Sequence, residues 1–449
     1  MKQKTDYKGR CVLVLGLGKS GVAAARVLHD LGALVTVNDG GNSGIPDSLS
    51  ALDVRVVTGK HDLALFDDGI SLLVKNPGIR YDNVMVAEAL RREIPVITEV
   101  ELAWELSEAE IIGITGTAGK TTTTTLIADI LSAGGRTPKL AGNIGFPASE
   151  VVSAAGATDD IVMELSSFQL QGTQHFHPHI AVIVNFYSAH LDWHGSQEAY
   201  ENAKWRIQAA MNADDFLVLN FNQPKLEQRA LTTKATIVPF ATDSVVNGAY
   251  SKDGVIFYKG EEILRVSDLS LPGDAYLENA LAALAVAKIK GIDNAAIISV
   301  LTTFKGVKHR NQYLGELSGR KVYNDSKATN IVETQHALSG FDAQSLWLIA
   351  GGLDRGNDFD ALFDNLSGLK GLVVVGETAD KLASAADRLG IPVVRADKVD
   401  DALTKAFAAS DVGDVILLSP ACASWDQYKT FEERGDLFID AFEALRGAK

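Results

Sequence analysis

Short continuous apolar runs, each closing on glycine or a small polar cluster, recur along the chain and alternate with helix-like patterns. Runs that are apolar at consecutive rather than alternate positions predict strands of a parallel sheet covered on both faces. The first, Cys11-Val12-Leu13-Val14-Leu15, ends in Gly16-Leu17-Gly18-Lys19-Ser20-Gly21; a helix is expected from about Val22 to Leu31, then a strand from Leu34 to Val37 that stops at Asn38-Asp39. Ile70 to Val74 is a further buried strand breaking at Lys75-Asn76-Pro77-Gly78, and Val96 to Glu110 contains a Glu-rich helical stretch.

A second strand-plus-glycine opening begins at Ile111-Ile112 and runs through Gly113-Ile114-Thr115-Gly116-Thr117-Ala118-Gly119-Lys120-Thr121 into a threonine run and the helical Leu126 to Leu131. Asp160 to Ser167 is a strand with Glu164 near its end, and Ile180 to Val184 is another, leading by Asn185 to Ser188 through His194. Ser196 to Ala210 reads as a helix carrying Lys204. Residues 216–266 alternate short strands and turns, and an Ala/Leu-rich buried helix is expected from Glu278 to Lys290, with Asn279 its polar exception.

After a linker from Phe304 to Arg310, apolar strands around Val322, Ser345 to Gly352, Gly371 to Gly376 and Asp414 to Pro420 are separated by helical patterns. The polar ends Asp325-Ser326-Lys327, Asp354-Arg355 and Ser419 to Ser424 are expected to gather at one sheet edge, where open α/β sheets bind ligands. The fold class is therefore α/β in three domains: a Rossmann-like domain over 1–108, a central phosphate-loop domain over 109–308 and a second Rossmann-like domain over 309–449.

Composition narrows the partners. With 42 basic and 57 acidic residues the formal charge is −15, which argues against nucleic acid or an anionic membrane surface. Only Cys11 and Cys422 occur, at opposite ends, so a structural disulfide is not expected and a reducing cytoplasm is. No uncharged stretch is long enough to span a bilayer, and no apolar signal run follows Met1. A monomer working on small molecules is the expectation.

The Gly113 to Thr121 loop has the parts of a phosphate site: glycines that let several N–H groups face one anion, a helix N-terminus, the Lys120 charge and a Thr121 hydroxyl suited to phosphate-bound Mg²⁺. The strict pattern wants glycine where Ile114 stands. Glu164, a carboxylate at a neighbouring strand end, is the first candidate metal ligand. Taken alone, His190 reads as a surface or core histidine and Lys204 as a solvated helix lysine. The Gly16 to Gly21 turn needs only a pyrophosphate, which NAD and a UDP-sugar both provide, so a nicotinamide-dependent dehydrogenase stands as the other reading of that turn.

Taken together, Gly116-Thr117-Ala118-Gly119-Lys120-Thr121, Glu164-Leu165-Ser166-Ser167-Phe168-Gln169, His309-Arg310 and Asn324 to Asn330 resemble the Mur ligase family of peptidoglycan synthesis. The long string from Ser419 through Gln427-Tyr428 to Phe431-Glu432-Glu433-Arg434-Gly435 resembles the members that add D-glutamate to UDP-N-acetylmuramoyl-L-alanine. The resemblance implies an ATP-dependent ligase that phosphorylates a carboxylate to an acyl phosphate, which an amine then attacks.

It further implies that Gly116, Thr117, Ala118, Gly119, Lys120, Thr121 and Thr122 hold the nucleotide phosphates, with Asn279 at adenine and Arg310 and Asp325 at phosphate and ribose. Two Mg²⁺ ions are implied, held by Thr121, Glu164, His190 and a carbamylated Lys204. Lys327 and His309 flank the reacting groups, Lys19, Ser20 and Gly78 hold the UDP group, Asn143 meets the muramoyl portion, and Thr329, Arg355, Ser424 and Phe431 bind D-glutamate. Against the family pattern the chain has Ala118 where asparagine is usual, Tyr276 where some members have asparagine, Arg355 where some have lysine and Gly40-Gly41 where some have a threonine-arginine pair. Folylpolyglutamate synthase shares the implied fold, but the first glycine turn and the Ser419 to Gly435 string argue against it. A nucleotide-regulated binding module has no need of Glu164 and Lys204.

Overall fold

The computed structural model describes residues 5–447 except 43, 357, 358, 360, 361, 363–365 and 367. It divides into two compact units, Met1–Val266 with Glu278–Val300, and Ser267–Leu277 with Leu301–Lys449. The first unit holds two sheets and the second holds one.

The first sheet comprises β1 (Cys11–Leu15), β2 (Leu34–Asp39), β3 (Arg55–Thr58), β4 (Leu72–Lys75) and β5 (Val96–Thr98), parallel throughout in the order β3-β2-β1-β4-β5. Val12 and Val14 pack with Val35, Val37 and Val74 on one face, while Leu13 and Leu15 pack with Leu73, Met85 and Val86 on the other. That two-sided burial is why β1 is apolar at every position. Strand order reverses between β1 and β4, so their carboxyl ends border a crevice. The first helix, Lys19–Asp30, starts earlier than the expected Val22, because its opening turn keeps polar Lys19 and Ser20 at the crevice. Val96–Thr98 is a strand before the helix Glu99–Leu106, too short to show a period in a stretch expected to be helical.

The second sheet has β6 (Glu110–Thr115), β7 (Pro138–Gly142), β8 (Asp160–Glu164), β9 (Ile180–Ile183), β10 (Phe216–Asn220), β11 (Thr236–Ala241), β12 (Ala249–Lys252), β13 (Val255–Tyr258) and β14 (Glu261–Arg265). Their order is β14-β13-β12-β11-β10-β9-β6-β8-β7, antiparallel only from β12 outward. A helix, Pro224–Ala230, interrupts the expected run of strands; Pro at its first position loses no hydrogen bond. The helix expected at Glu278 begins at Asp274 and ends at Ile289.

In the second unit the order is β15 (Gln312–Leu317), β16 (Arg320–Asn324), β20 (Val415–Leu418), β17 (Leu346–Gly351), β18 (Gly371–Val375) and β19 (Val393–Arg395). The first pair is an antiparallel hairpin and the rest are parallel. The parallel neighbours β16, β20 and β17 end on one edge, which places Asp325 and Ser419 together as expected; the segment bearing Asp354 and Arg355 follows β17 from the same edge. Among the described residues no helix is long and apolar enough to cross a membrane.

Candidate functional site

The phosphate loop connects β6 to the helix Lys120–Ala133. Gly119 has φ +78°, and a Cβ there would fall 2.2 Å from Asn279 Oδ1, so both backbone and space demand glycine. Asn279 is thereby seated against the loop, and its Oδ1 accepts from Thr123 Oγ1 at 3.2 Å. From beyond the end of β9, Asn185 Oδ1 accepts from the N–H groups of Thr117 (3.1 Å) and Ala118 (2.9 Å). Lys120 donates to the Thr117 carbonyl at 3.0 Å, closing the loop on itself. Thr121 is buried in the first helical turn, next to a half-buried Thr122.

Glu164 ends β8, beside β6, and is 2% exposed. Its Oε1 accepts from Asn143 Nδ2 at 2.8 Å, whereas Oε2 is buried with no hydrogen-bond partner. A carboxylate oxygen in that state suits a hard cation such as Mg²⁺, which prefers oxygen ligands. Among the described residues no three His, Cys, Asp or Glu side chains converge into a protein-only metal cage.

Lys204 corrects the solvated-helix reading. It is 2% exposed on the helix Gln197–Trp205, donates to the Gly116 carbonyl at 2.8 Å and lies 5.0 Å from the Tyr200 ring. Burial drives its pKa well below the ordinary lysine value, Lys120 adds repulsion, and Glu164 opposes both. Tyr200 is tied to the loop through Thr117 Oγ1 at 3.0 Å. His190, exposed and at φ +54°, caps the short helix Leu191–His194, and its ring meets Phe168 edge-on at 5.1 Å and Tyr200 at 6.1 Å. Lys120, Asn143, Glu164, His190, Lys204 and Asn279 are therefore brought to one neighbourhood at the ends of β6, β8 and β9.

The crevice of the first sheet is lined by the Gly16 to Gly21 turn and the loop after β4. Exposed Lys19 and half-buried Ser20 open the helix there, and Gly78 is exposed in the facing loop. Asn76 packs against Gly16 and Gly18, and its Oδ1 is buried without a partner. Asp39 accepts from the N–H of Leu17 and of Gly41, both at 2.7 Å, so this acid organises the turn. A cavity of about 410 Å³ lies alongside, lined in part by Asp39, Gly40, His61 and Asn83. A Cβ on Gly40 would fall 2.8 Å from His61 Nε2, so a larger residue there would require the His61 ring to shift.

In the second unit, His309 is buried at φ +62°, with Nδ1 3.1 Å from Asn324 Nδ2 and Nε2 3.3 Å from Asp436. Burial lowers its pKa. Its carbonyl accepts from the Lys327 N–H at 3.0 Å, and the Lys327 ammonium lies 5.3 Å from the Phe431 ring. Asp325 accepts from Asn311 N (3.0 Å) and Ser419 Oγ (2.9 Å), and burial pushes its pKa up to about 7. Arg310 Nε is buried and unpartnered, a donor suited to phosphate. Ser424 is buried, Thr329 donates its N–H to Glu333 at 2.9 Å, and Arg355 is exposed, 4.8 Å from the Trp425 ring. Tyr276 is instead a core residue stacked on Phe304, 6.1 Å between centroids.

Three family profiles match: "Mur ligase MurD-like, N-terminal domain" over residues 10–98, "Mur ligase middle domain" over 114–287 and "Mur ligase, glutamate ligase domain" over 309–422. The chain belongs to the Mur ligase family. This Mur ligase is 62% identical over 449 residues to the UDP-N-acetylmuramoylalanine–D-glutamate ligase of Lactococcus lactis subsp. cremoris (strain SK11), covering 99% of this chain and 100% of that one. It is 57% identical over 450 residues to the enzyme of the same name from Streptococcus agalactiae serotype Ia, covering 100% of each. Among solved structures, the UDP-N-acetylmuramate-alanine ligase of Thermotoga maritima matches with a TM-score of 0.58 at 21% identity over 97% of this chain and 99% of that one. The MurF ligase of Thermotoga maritima in complex with ADP matches at 0.58 and 16%, over 100% of this chain and 98% of that one. At those identities the structures share the three-domain α/β fold, and the fold alone.

Residue patterns assigned no role to two groups that hold these loops. Asn185 shapes the phosphate loop, and its signal was its place directly after an apolar strand. Arg434 is 1% exposed and donates to Ser326 Oγ (3.0 Å), the Ser326 carbonyl (2.7 Å) and the Cys422 carbonyl (3.2 Å), pinning the strand-end loops that carry Lys327 and Ser424. Nothing in its sequence neighbourhood marks it as buried.

Proposed function

We propose that this chain joins D-glutamate to the L-alanyl carboxylate of UDP-N-acetylmuramoyl-L-alanine, using ATP and releasing ADP and phosphate. The single observation that carries the reading is full-length identity of 62% to a relative bearing that activity as its name. A carboxylate is a poor acyl donor, so the γ-phosphoryl of ATP is first transferred to it; the D-glutamate amine attacks the acyl phosphate and phosphate leaves. Negative charge builds in both steps, so positioning and cations do most of the work.

In this reading Gly116 to Thr122 and Lys120 bind the β- and γ-phosphates, and Asn279, Arg310 and Asp325 hold the rest of the nucleotide. Thr121, Glu164, His190 and Lys204 would hold Mg²⁺, which when bound neutralises phosphoryl charge. Lys204 enters as a carbamate: a buried neutral amine reacts with CO₂, losing a proton and gaining an anionic oxygen pair. The Gly16 to Gly21 turn with Lys19, Ser20 and Gly78 takes the UDP pyrophosphate, the neighbouring cavity takes the base, and Asn143 meets the muramoyl portion. Thr329, Arg355, Ser424 and Phe431 receive D-glutamate, with the Arg355 guanidinium on its side-chain carboxylate. His309 and Lys327 flank the reacting groups. We assign the three domains to 1–108, 109–308 and 309–449, and take the enzyme to act as a monomer in the cytoplasm.

The test is ADP release by the purified chain with magnesium and bicarbonate. Release is expected only when ATP, UDP-N-acetylmuramoyl-L-alanine and D-glutamate are all present, with L-glutamate a poor substitute. No ADP under those conditions, or NADH turnover instead, overturns the reading.

A further inference from the structure

The loop after β4 is knitted from inside by Lys75. This residue is 1% exposed and donates to the carbonyls of Ile79 (2.9 Å), Pro77 (3.4 Å) and Asn76 (3.5 Å), and burial lowers its pKa to about 8. The loop is thus a formed object rather than a slack connection. On its outer side it reaches the segments that follow β8 and β9. Tyr81 Oη donates to the Gln171 carbonyl at 3.3 Å, and Arg80 donates to the Asp192 carbonyl at 3.2 Å.

The Arg80 guanidinium also lies over the Trp193 ring, 5.2 Å from its centroid, with Asp82 3.4 Å away. Trp193 packs edge-on against Phe168 at 4.9 Å, and Phe168 packs against His190 at 5.1 Å. A continuous series of packed groups therefore runs from the loop bearing Gly78, through Arg80, Trp193 and Phe168, to His190. His190 sits in left-handed backbone at the exposed start of a one-turn helix, its carbonyl accepting from the N–H groups of Trp193 (3.2 Å) and His194 (3.0 Å), so the placing of its turn is tied to Trp193. An external clamp has something to hold.

We propose that Arg80 is a positioning residue that clamps the His190 turn to the Gly78 loop, so that filling the sugar-nucleotide crevice also fixes His190. This rests on the roles given above to Gly78 and His190. Arg80 acts through Trp193 and the Asp192 carbonyl rather than on the reacting atoms. A planar cation suits the task, because it stacks on the indole and donates sideways at once.

Hydrogen exchange over residues 188–196 of the full chain, with and without UDP-N-acetylmuramoyl-L-alanine and with no nucleotide, reads the clamp without relying on turnover. The substrate is expected to slow exchange there in the wild type, and Arg80→Ala is expected to abolish the slowing. In the ADP-release assay the same variant should lose about tenfold in kcat and need more Mg²⁺ for half-maximal rate, with KM for ATP unchanged, as coupling energies of this kind give. Arg80→Lys should recover part of the loss, and Arg80→Ala with Trp193→Ala should lose less than the sum of the two single losses, because the ring contact is shared while the bond to the Asp192 carbonyl is not.

Substrate-induced slowing that survives in Arg80→Ala, a rise confined to the KM for the UDP substrate, or additive losses in the double variant would overturn the proposal. Should Arg80→Ala fail to fold, Arg80→Gln compared with Arg80→Lys decides by the same readouts. A wild type that releases no ADP sinks the functional reading instead, whereas a working wild type matched by Arg80→Ala sinks this inference alone.

Discussion

The side-chain nitrogen of Lys204 donates to the carbonyl oxygen of Gly116 across 2.8 Å, from a position buried beneath the phosphate loop. Desolvation favours the neutral amine there, and only a neutral amine attacks CO₂. Lys204→Ala is expected to lower kcat by about a thousandfold or more, the scale of losing a metal-site ligand, and added short carboxylic acids should restore part of it by filling the vacated anion site. Unchanged activity in the variant would remove the carbamate. The depressed pKa also has a stability consequence. The unfolded chain binds the proton that the fold excludes, so the uncarbamylated lysine costs stability at neutral pH and less as pH rises. Lys204→Met, inactive, is therefore expected to melt above the wild type in bicarbonate-free buffer.

Asn185 makes a second prediction. One amide oxygen holds two loop N–H groups; its removal takes the acceptor from the Ala118 N–H, while the Thr117 N–H keeps its bond to the Asn185 backbone carbonyl at 3.0 Å. Asn185→Ala is expected to raise the KM for ATP by about tenfold, the effect of one to two hydrogen bonds, while the KM for D-glutamate stays put. Titration with a fluorescent ATP analogue checks it; unaltered affinity would leave the loop to shape itself.

The contrast between Asn185 and Lys120 shows what the sequence made legible. Lys120 follows glycines on a strand-loop-helix pattern, and local chain geometry is enough to specify a phosphate site. The apolar runs were readable for the same reason, since strands such as β1 are covered on both faces and carry the signature at every residue. Lys204, Asn185 and Arg434 act through contacts with residues far along the chain, Gly116, Thr117 and Ser326 respectively; the place of Asn185 after an apolar strand marks a sheet edge, but no window of neighbouring residues names any of these partners. Short elements such as Val96–Thr98 were lost because three residues show no period.

Glu99 carries a pH prediction away from the candidate site. Its side chain is 2% exposed, accepts from the Ser149 N–H, and burial raises its pKa to about 7. The folded carboxyl holds a proton that the unfolded one releases near pH 4, so its effect is absent below that pH and stability is lost as pH climbs from about 4 to 7. Glu99→Gln keeps an acceptor for Ser149 and has nothing to ionise. Thermal unfolding should place the variant close to the wild type at pH 4.5 and above it at pH 8, by at most about 3 kcal/mol. An equal gap at both pH values would show that ionisation of Glu99 plays no part.

Arg355 departs from the lysine of some relatives, and its surroundings give the departure a physical meaning. The guanidinium lies 4.8 Å from the ring of Trp425, which is 65% exposed, and Trp425 adjoins the buried Ser424. An indole face suits a planar cation better than a compact ammonium, and the stacked guanidinium still presents two parallel N–H groups at its edge. Bidentate charge-assisted bonds to a carboxylate contribute about 1.5 to 3 kcal/mol, or roughly ten- to a hundredfold in binding. Arg355→Ala is expected to raise the KM for D-glutamate by that factor with KM for ATP unaffected. Arg355→Lys should keep the charge and lose part of the affinity. Trp425→Ala, which frees the guanidinium without removing it, should fall between wild type and Arg355→Ala. Steady-state kinetics with varied D-glutamate separate these outcomes, and a KM for D-glutamate that does not move in Arg355→Ala removes this residue from the amino-acid site.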